Sequence, residues 1–170
     1  MAVDTVTLNS GRAVTIRPIR ADDGPRLRDA YDNLSARSKY SRFLAAKPHL
    51  TSADVRFLVS VDGRDHVALV ASPIGDPHQI IAVARFVRLE EDRQMGELAV
   101  VVGDPFQRDG LGSALVAELA HVAADLGIRR FRGTMLSEND AARRLVRRAA
   151  SGEISERSSG YLREIEIEIG

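Results

Sequence analysis

Residues 102–112, which read VGDPFQRDGLG, decide the fold of this chain. They follow the apolar run ELAVVV at 97–102 and precede a stripe of apolar residues at helical spacing. The stripe consists of Leu111, Leu115, Leu119, Val122 and Leu126. A strand that turns through glycines into an amphipathic helix is typical of the first half of a βαβ unit.

The glycines of this turn allow two interpretations. Gly110 and Gly112 open the helix, where they let the backbone approach a ligand closely, and the unpaired N–H groups of a first helical turn suit phosphate. A tight turn that needs glycine for backbone reasons alone explains the same residues. No Gly-x-x-x-x-Gly-Lys-Ser/Thr is present, and no Gly-x-Gly-x-x-Gly follows the first strand. We therefore expect neither a nucleoside-triphosphate loop nor a standard dinucleotide fold.

Strand and helix patterns alternate along the rest of the chain. They predict eight strands, of which six lie at 3–8, 13–19, 66–71, 80–88, 97–102 and 128–134 and two follow the last helix, the second of them in the tail at 161–169. They predict helices at 22–34, from Thr51 onward, at 110–126 and at 139–150, whereas 35–49 reads as irregular or loosely helical. The run 97–102 is apolar after its first residue, which predicts a strand covered on both faces. This order predicts an α+β or mixed α/β fold in a single domain over residues 1–170.

The composition argues against several classes of protein. Cysteine is absent, which rules out disulfides, a thiol nucleophile and thiolate metal sites within these residues. The 24 basic and 24 acidic residues balance, and the aromatic residues are not interleaved with the basic ones, so we expect no nucleic-acid or membrane partner. The four histidines share no metal-ligand spacing, so we expect no metal. Without a signal-peptide pattern or an apolar run of ~20 residues, the expected location is the cytoplasm.

Two motifs carry a resemblance to a known family. Residues 107–112, QRDGLG, are similar to the Gln/Arg-x-x-Gly-x-Gly/Ala signature of the GNAT superfamily of acyl-CoA-dependent N-acetyltransferases. Residues 137–145, SENDAARRL, are similar to its second motif. More narrowly, 34–44 (LSARSKYSRFL) and 96–102 (GELAVVV) resemble bacterial protein-lysine acetyltransferases of the Pat type. The resemblance implies a central mixed, mostly antiparallel sheet with a βαβ CoA-binding core and flanking helices.

The resemblance also implies how acetyl-CoA, the acyl donor, is held. Its pyrophosphate would lie on backbone N–H groups of the turn, and its pantetheine arm would extend the end of strand 97–102, in a gap that opens toward 128–134. The implied cofactor-binding residues are Val100, Val101, Val102, Gln107, Arg108, Asp109, Gly110, Leu111, Gly112, Ser113 and Asn139. An N–H group near Val101 would polarise the thioester carbonyl. Asn139 is equally suited to cap the following helix, and the two roles are compatible.

Glu97 is the candidate general base that would deprotonate the acceptor amine. A Lys amine has a pKa of about 10.4, so a positioned carboxylate is useful, and partial burial would make it a better base. The alternative is a solvated Glu97 at the strand mouth. The chain departs from the family where many members carry a tyrosine that protonates the leaving thiolate, because this position is Val146, and Ala150-Ser151 replaces the usual Gly-Phe.

The expected function is transfer of acetyl from acetyl-CoA to a primary amine, directly and without a covalent enzyme intermediate. A protein lysine is the expected acceptor, and a small-molecule amine is the alternative. A non-catalytic acyl-CoA-binding module is the second hypothesis. Tyr40, Arg42 and Phe43 lie where the family's acceptor-binding helices occur, so they either line the acceptor pocket or form helix core.

The C-terminal residues also predict a strand. Residues 161–169, YLREIEIEI, alternate apolar and acidic side chains, which fits a strand with one wet face. We interpret the acidic side chains as protecting an edge strand from pairing, or as attracting a cationic acceptor. An exposed strand of this kind also suits pairing across a homodimer.

Overall fold

The computed structural model describes residues 4–170, so Val3, which the first predicted strand includes, lies outside the described residues. The strands are β1 (Asp4–Thr7), β2 (Ala13–Pro18), β3 (His66–Pro73), β4 (Ala82–Arg88), β5 (Met95–Val102), β6 (Arg130–Leu136), β7 (Ile154–Ser159) and β8 (Leu162–Glu168). The helices are α1 (Gly24–Asp32), α2 (Ala36–Phe43), α3 (Ser52–Val59), α4 (Leu111–Asp125) and α5 (Asp140–Arg148).

The strands form one sheet in the order β1-β2-β3-β4-β5-β6-β8-β7. Every neighbouring pair is antiparallel except β5 and β6, which α4 connects. A crossover helix between parallel neighbours is the βαβ unit that residues 102–112 predict. The predicted fold class, a mostly antiparallel mixed sheet with a βαβ core, is confirmed.

Strands β5 and β6 separate beyond a short paired segment. Their pairing runs only from Met95, opposite Arg130, to Glu97, opposite Arg132. On its other side β5 stays paired with β4 as far as Val102. A wedge therefore opens between β5 and β6, and the backbone groups of β5 that face it have no strand partner among residues 4–170.

The sheet has a hydrophobic core on each face. Alternate residues of a strand point to opposite faces, so Leu69 belongs to the core under α4 whereas its neighbour Val70 belongs to the core under α1 and α3. The first core contains the fully buried α4 residue Leu119. The second contains Leu27 of α1 and Leu58 of α3. The α1–α3 side of the sheet also carries Glu97, because Glu97 lies four residues before Val101 on β5 and Val101 packs against this core.

Local sequence signals set the helix ends. Thr51 and Asp54 form the predicted capping box at the start of α3. Gly110 and Gly127 flank α4 with φ values of +85° and +82°, the left-handed region that glycine adopts without strain. Asn139 caps α5.

The structure decides between one pair of alternatives and shows two sequence predictions to be wrong in part. Of the two alternatives for 35–49, irregular or loosely helical, residues 36–43 take the helical one and form the regular helix α2. The end of β5, residues 99–102, is half-buried and not covered on both faces, because it borders the wedge. The tail strand β8 lies between β6 and β7, so β7 is the edge strand and β8 is not available for pairing across a dimer. Its isoleucines face the core, since Ile165 and Ile167 are buried.

Candidate functional site

A cavity of about 530 Å³ occupies the wedge between β5 and β6. The end of β5 and the second half of β6 form its floor, and α2 and the start of α5 form its walls. Of the predicted site residues, the cavity is lined by Glu97, Val100, Val101, Val102, Gln107, Arg108 and Asn139. The sheet thus brings together residues that lie more than forty positions apart in sequence.

The turn between β5 and α4 is fixed from behind by the β1–β2 hairpin. Asp109 is 7% exposed, and its carboxylate accepts hydrogen bonds from the Ser10 backbone N (2.7 Å), the Ser10 hydroxyl (2.6 Å) and Arg12 Nη2 (2.9 Å). These bonds, chiefly those from Ser10, lower the pKa of Asp109. The Asn9 backbone N also donates to the Asp109 carbonyl, at 3.1 Å. The Asp109 side chain and carbonyl therefore anchor the turn, and only the backbone N–H group of this residue is left for a ligand.

The first turn of α4 has the geometry of an anion site. Gly110 occupies the N-cap position, and no side chain within residues 4–170 caps the helix. The N–H groups of Leu111, Gly112 and Ser113 then lack helical acceptors, and the positive end of the helix dipole lies beside them. Gly112 also permits close packing, because a Cβ atom there would collide with the Leu145 side chain of α5.

Gln107 and Arg108 connect this turn to the cavity. The Gln107 side-chain amide donates to the Val102 carbonyl at 3.0 Å and to the Ser38 hydroxyl of α2 at 3.2 Å. Arg108 is exposed and adopts a left-handed backbone with φ +61°. Gln107 therefore closes the end of β5 against α2, and Arg108 leaves a cation at the mouth of the cavity.

Asn139 caps α5 from the cavity wall. Its Oδ1 accepts a hydrogen bond from the Ala142 backbone N at 3.1 Å. Within residues 4–170 the Nδ2 group makes no hydrogen bond, so one donor of the amide stays available. The capping role is confirmed, and the role in binding pantetheine stays a prediction. Val146, at the position of the family's tyrosine, is 4% exposed and lines the same cavity with an apolar surface.

Glu97 lies where the wedge begins and is ion-paired. Its Oε2 accepts a hydrogen bond from Arg132 Nε at 2.9 Å across the β5–β6 pair, and the Glu97 side chain is 38% exposed. The bond to Glu97 raises the pKa of Arg132. Glu97 is thus neither isolated in an apolar pocket nor freely solvated, because the pairing with Arg132 orients it at the cavity edge.

The sequence did not identify the residues that hold α2 against the cavity. The Asp104 carboxylate accepts hydrogen bonds from the Ser35 backbone N (3.0 Å), the Ser35 hydroxyl (2.7 Å) and the Ser38 hydroxyl (2.9 Å). Burial acts to raise the pKa of Asp104, but these bonds outweigh it and hold the pKa below its usual value. Ser35 is also the N-cap of α2, which is the only local signal for this contact.

The predicted acceptor residues divide between wall and surface. Arg42 and Phe43 line the large cavity and also a smaller cavity of about 50 Å³ under α1–α3, whereas Tyr40 is an exposed residue of α2. The Arg42 guanidinium lies 4.7 Å from the centroid of the Phe43 ring. Arg42 and Phe43 therefore form part of a pocket wall.

Residues 4–170 contain neither a cluster suited to a metal ion nor a helix suited to span a membrane. No group of three or more His, Asp or Glu side chains is arranged to hold a metal ion in this part of the chain. None of its helices combines the length and the apolar character needed to cross a membrane.

A family profile, curated relatives and solved structures all place this chain among the same proteins. A profile of the acetyltransferase (GNAT) family matches residues 29–150. The chain is similar to Acetyltransferase Pat of Mycolicibacterium smegmatis, with 30% identity over 162 residues that cover 95% of this chain and 48% of the relative. The chain therefore spans about half the length of this relative.

Solved structures give the same result. The GNAT domain of S. lividans PAT is 30% identical, with a TM-score of 0.89 over 98% of this chain and 97% of that domain. The structure of yncA from Salmonella typhimurium, which contains its cofactor acetyl-CoA, shares the fold at 18% identity, with a TM-score of 0.71 over 92% of each chain. The family profile and the Pat relatives confirm the resemblance seen in the sequence, and the chain belongs to the acetyltransferase (GNAT) family.

Proposed function

We propose that this chain transfers an acetyl group from acetyl-CoA to a primary amine, with Glu97 as the general base. The observation that supports this most directly is the wedge between β5 and β6, which begins immediately after the Glu97–Arg132 pair. The open edge of β5 and the Glu97 carboxylate lie in one cavity. Arg108 also lines this cavity and lies two residues before Gly110, the N-cap of α4, whereas residues 110–113 do not line it.

The residues present fit acetyl-CoA. The edge of β5 at Val100–Val102, which has no strand partner on the β6 side within residues 4–170, can bind the amide groups of a pantetheine arm as an added strand would. The first turn of α4, from Gly110 to Ser113, offers N–H groups to the pyrophosphate, and the exposed Arg108 adds a positive charge. Asn139 lines the same cavity, and its Nδ2, which makes no hydrogen bond within residues 4–170, can donate to pantetheine.

Each residue of the site has a defined task. Bound acetyl-CoA supplies the acetyl group as a thioester, which a neutral amine attacks. The backbone N–H near Val101 would bind the carbonyl oxygen as charge develops on it. Glu97 would take the amine proton, directly or through a water, while Arg132 keeps the carboxylate oriented. Because Val146 is apolar, the proton that neutralises the leaving thiolate comes from solvent or from the acceptor.

We propose a protein lysine as the acceptor. Both stretches that resemble Pat-type protein-lysine acetyltransferases, 34–44 and 96–102, contribute to the cavity wall. The cavity is also open to solvent along α2, whose residues Arg37 and Ser41 line it. A small-molecule amine is the alternative acceptor, and a non-catalytic acyl-CoA-binding module is the alternative function.

Substitution of Glu97 tests the proposal. Purified wild type is incubated with acetyl-CoA and lysine-containing proteins or small amines, and CoA release and acetylated product are measured together. Glu97→Gln is expected to lower kcat/KM by about 10²–10⁴-fold, since this is the usual contribution of a general base, while acetyl-CoA still binds.

Glu91→Gln is the matched control, because Glu91 also faces Arg132, at 3.7 Å, but is 68% exposed and does not line the cavity. It should keep wild-type activity. Unchanged turnover in Glu97→Gln would contradict the assignment of the base. Acetyl-CoA binding with no acetylation of any amine by wild type would favour the binding module.

A further inference from the structure

Two arginines meet at the small cavity under α1–α3. Arg85 of β4 is 4% exposed, and Arg42 of α2 also lines this cavity, whose other walls are mainly apolar. Arg85 Nη1 donates to the Leu58 carbonyl at 2.9 Å and contacts His66 Nε2 at 3.1 Å. These neutral partners satisfy part of the guanidinium but do not balance its charge.

Neither arginine has a carboxylate partner among residues 4–170. Arginines elsewhere do, as in the pairs Arg17–Asp23 at 2.7 Å and Arg132–Glu97 at 2.9 Å. The three remaining residues, Met-Ala-Val, have no carboxylate side chain. The phenol of Tyr31 interacts with Arg42, but it donates its proton to the Lys47 carbonyl and is not a counterion.

This arrangement is costly without an anion. Burial and the neighbouring charge of Arg42 lower the pKa of Arg85 to about 9, and burial also lowers the pKa of Arg42. A buried cation is stabilised in proteins by a paired anion. The Leu58 carbonyl at the end of α3 accepts a hydrogen bond from Arg85, but it does not balance the charge of Arg85. It also does not explain why a second arginine, Arg42, lines the same cavity.

The arginine pair lies beside the reacting end of the site. Arg85 is the cross-strand partner of Ala99, and Glu97 is paired with Val87, so Arg85 and Glu97 are diagonal neighbours on one face of the sheet. The two cavities share four lining residues, namely Arg42, Phe43, Ala99 and Val101. A group in the small cavity is therefore adjacent to the position proposed for the acceptor amine.

We propose that Arg42 and Arg85 form an anion subsite that binds a carboxylate of the acceptor, so that the acceptor class is an amine that also carries a carboxylate. This inference rests on the proposed transfer to an amine. The small cavity holds about 50 Å³, and about 10–15 Å³ of such space accommodates one water, so a carboxylate fits and a bulky group does not. The carboxylate belongs either to a free amino acid or to an acidic residue next to an acceptor lysine.

Matched acceptors test the subsite by kinetics. Free lysine is compared with lysinamide, and a lysine peptide with a neighbouring Glu is compared with the same peptide carrying Gln. Wild type should favour the carboxylate member of one pair by about 10- to 100-fold in kcat/KM, mainly through KM, which is the range for a hydrogen bond to a charged group. The pair that shows the preference identifies the source of the carboxylate.

The variants Arg42→Gln and Arg85→Gln should abolish this preference, and exposed Arg56→Gln on α3 should keep it. Arg85→Lys retains the positive charge and should therefore keep part of the preference for the carboxylate acceptor. Equal use of both members of both pairs by wild type would overturn the subsite while leaving amine acetylation intact.

A measurement independent of turnover separates this inference from the proposed function. Glutarate, which has carboxylates but no amine, should raise the melting temperature of wild type, and glutaramide should not. The rise should be absent in Arg42→Gln and present in Arg56→Gln. No shift in wild type, or an equal shift in Arg42→Gln, would overturn the subsite even if no amine is acetylated.

Discussion

Placing a negative charge at Gly110 should remove acetyl-CoA binding without unfolding the protein. Gly110 is the N-cap of α4, with φ +85°, and stands at the turn proposed to hold the pyrophosphate. Gly110→Glu adds a carboxylate to this turn. Gly127→Glu is the matched control, because Gly127 has φ +82° and lies just beyond the other end of the same helix.

The two substitutions should cost similar free energy of unfolding but differ in their effect on the free energy of acetyl-CoA binding. Each substitution forces an L-residue into the left-handed region, which costs about 1–2 kcal/mol. At Gly110 the new Cβ would also lie 3.3 Å from Asn9 Nδ2, whereas at Gly127 no atom lies within 4 Å. Repulsion between the added carboxylate and one phosphate charge at about 4 Å amounts to about 1–4 kcal/mol, or roughly 5- to 1000-fold in Kd. Only Gly110→Glu places its carboxylate near the proposed pyrophosphate position, so only this variant should show the repulsion.

Calorimetric titration with acetyl-CoA measures the change in binding affinity. Unfolding by urea measures the change in stability. Both variants should unfold at lower urea than wild type, and only Gly110→Glu should lose affinity. Wild-type affinity in a folded Gly110→Glu protein would refute the assignment of the pyrophosphate to this turn. An equal loss in Gly127→Glu would mean that strain in α4, and not the added charge, weakens binding.

Two further predictions concern acid stability and the α5 cap. Although burial favours protonation, the hydrogen bonds from Arg17 and the Arg20 N–H lower the pKa of Asp23 from 3.8 to about 2. The ionised Asp23 carboxylate contributes about 2 kcal/mol to the free energy of unfolding. This contribution is present above the unfolded-state pKa of 3.8 and is lost as the pH falls toward 2. Urea unfolding should show a shallower loss between pH 4.5 and 2 in Asp23→Asn, and an identical loss would contradict this account. Asn139→Ala should cost about 0.5–2 kcal/mol of unfolding free energy. Asn139→Asp should restore the cap yet bind acetyl-CoA more weakly, and wild-type affinity there would limit Asn139 to capping.

The features that the sequence predicts are those with local causes. The turn at 107–112, the apolar stripe of α4 and the capping residues Thr51 and Asn139 are each encoded within a few positions, and the structure contains all of them. The wedge followed from the family resemblance, since no local pattern shows that two parallel strands separate. Its start beside Glu97 is visible only in the strand register.

The features that the sequence did not predict depend on distant partners. Helix α2 has no fully buried residue, and the bonds that fix it join Ser35 and Ser38 to Asp104, 66 to 69 positions away. The alternation in the tail fits an edge strand and an inner strand equally well, and only the position of β7 decides between them. The overall balance of acidic and basic residues likewise gives no sign that Arg42 and Arg85 have no carboxylate partner within residues 4–170.

Hydrogen exchange with and without acetyl-CoA tests the central claim most directly, because it reports on wild-type backbone amides. We predict that acetyl-CoA protects the amides of 98–102 and 108–113 from exchange and leaves the exchange of the β7 amides at 154–159 unchanged. Binding with no protection at 98–102 and 108–113, or with protection elsewhere only, would contradict the placement of acetyl-CoA in the wedge between β5 and β6.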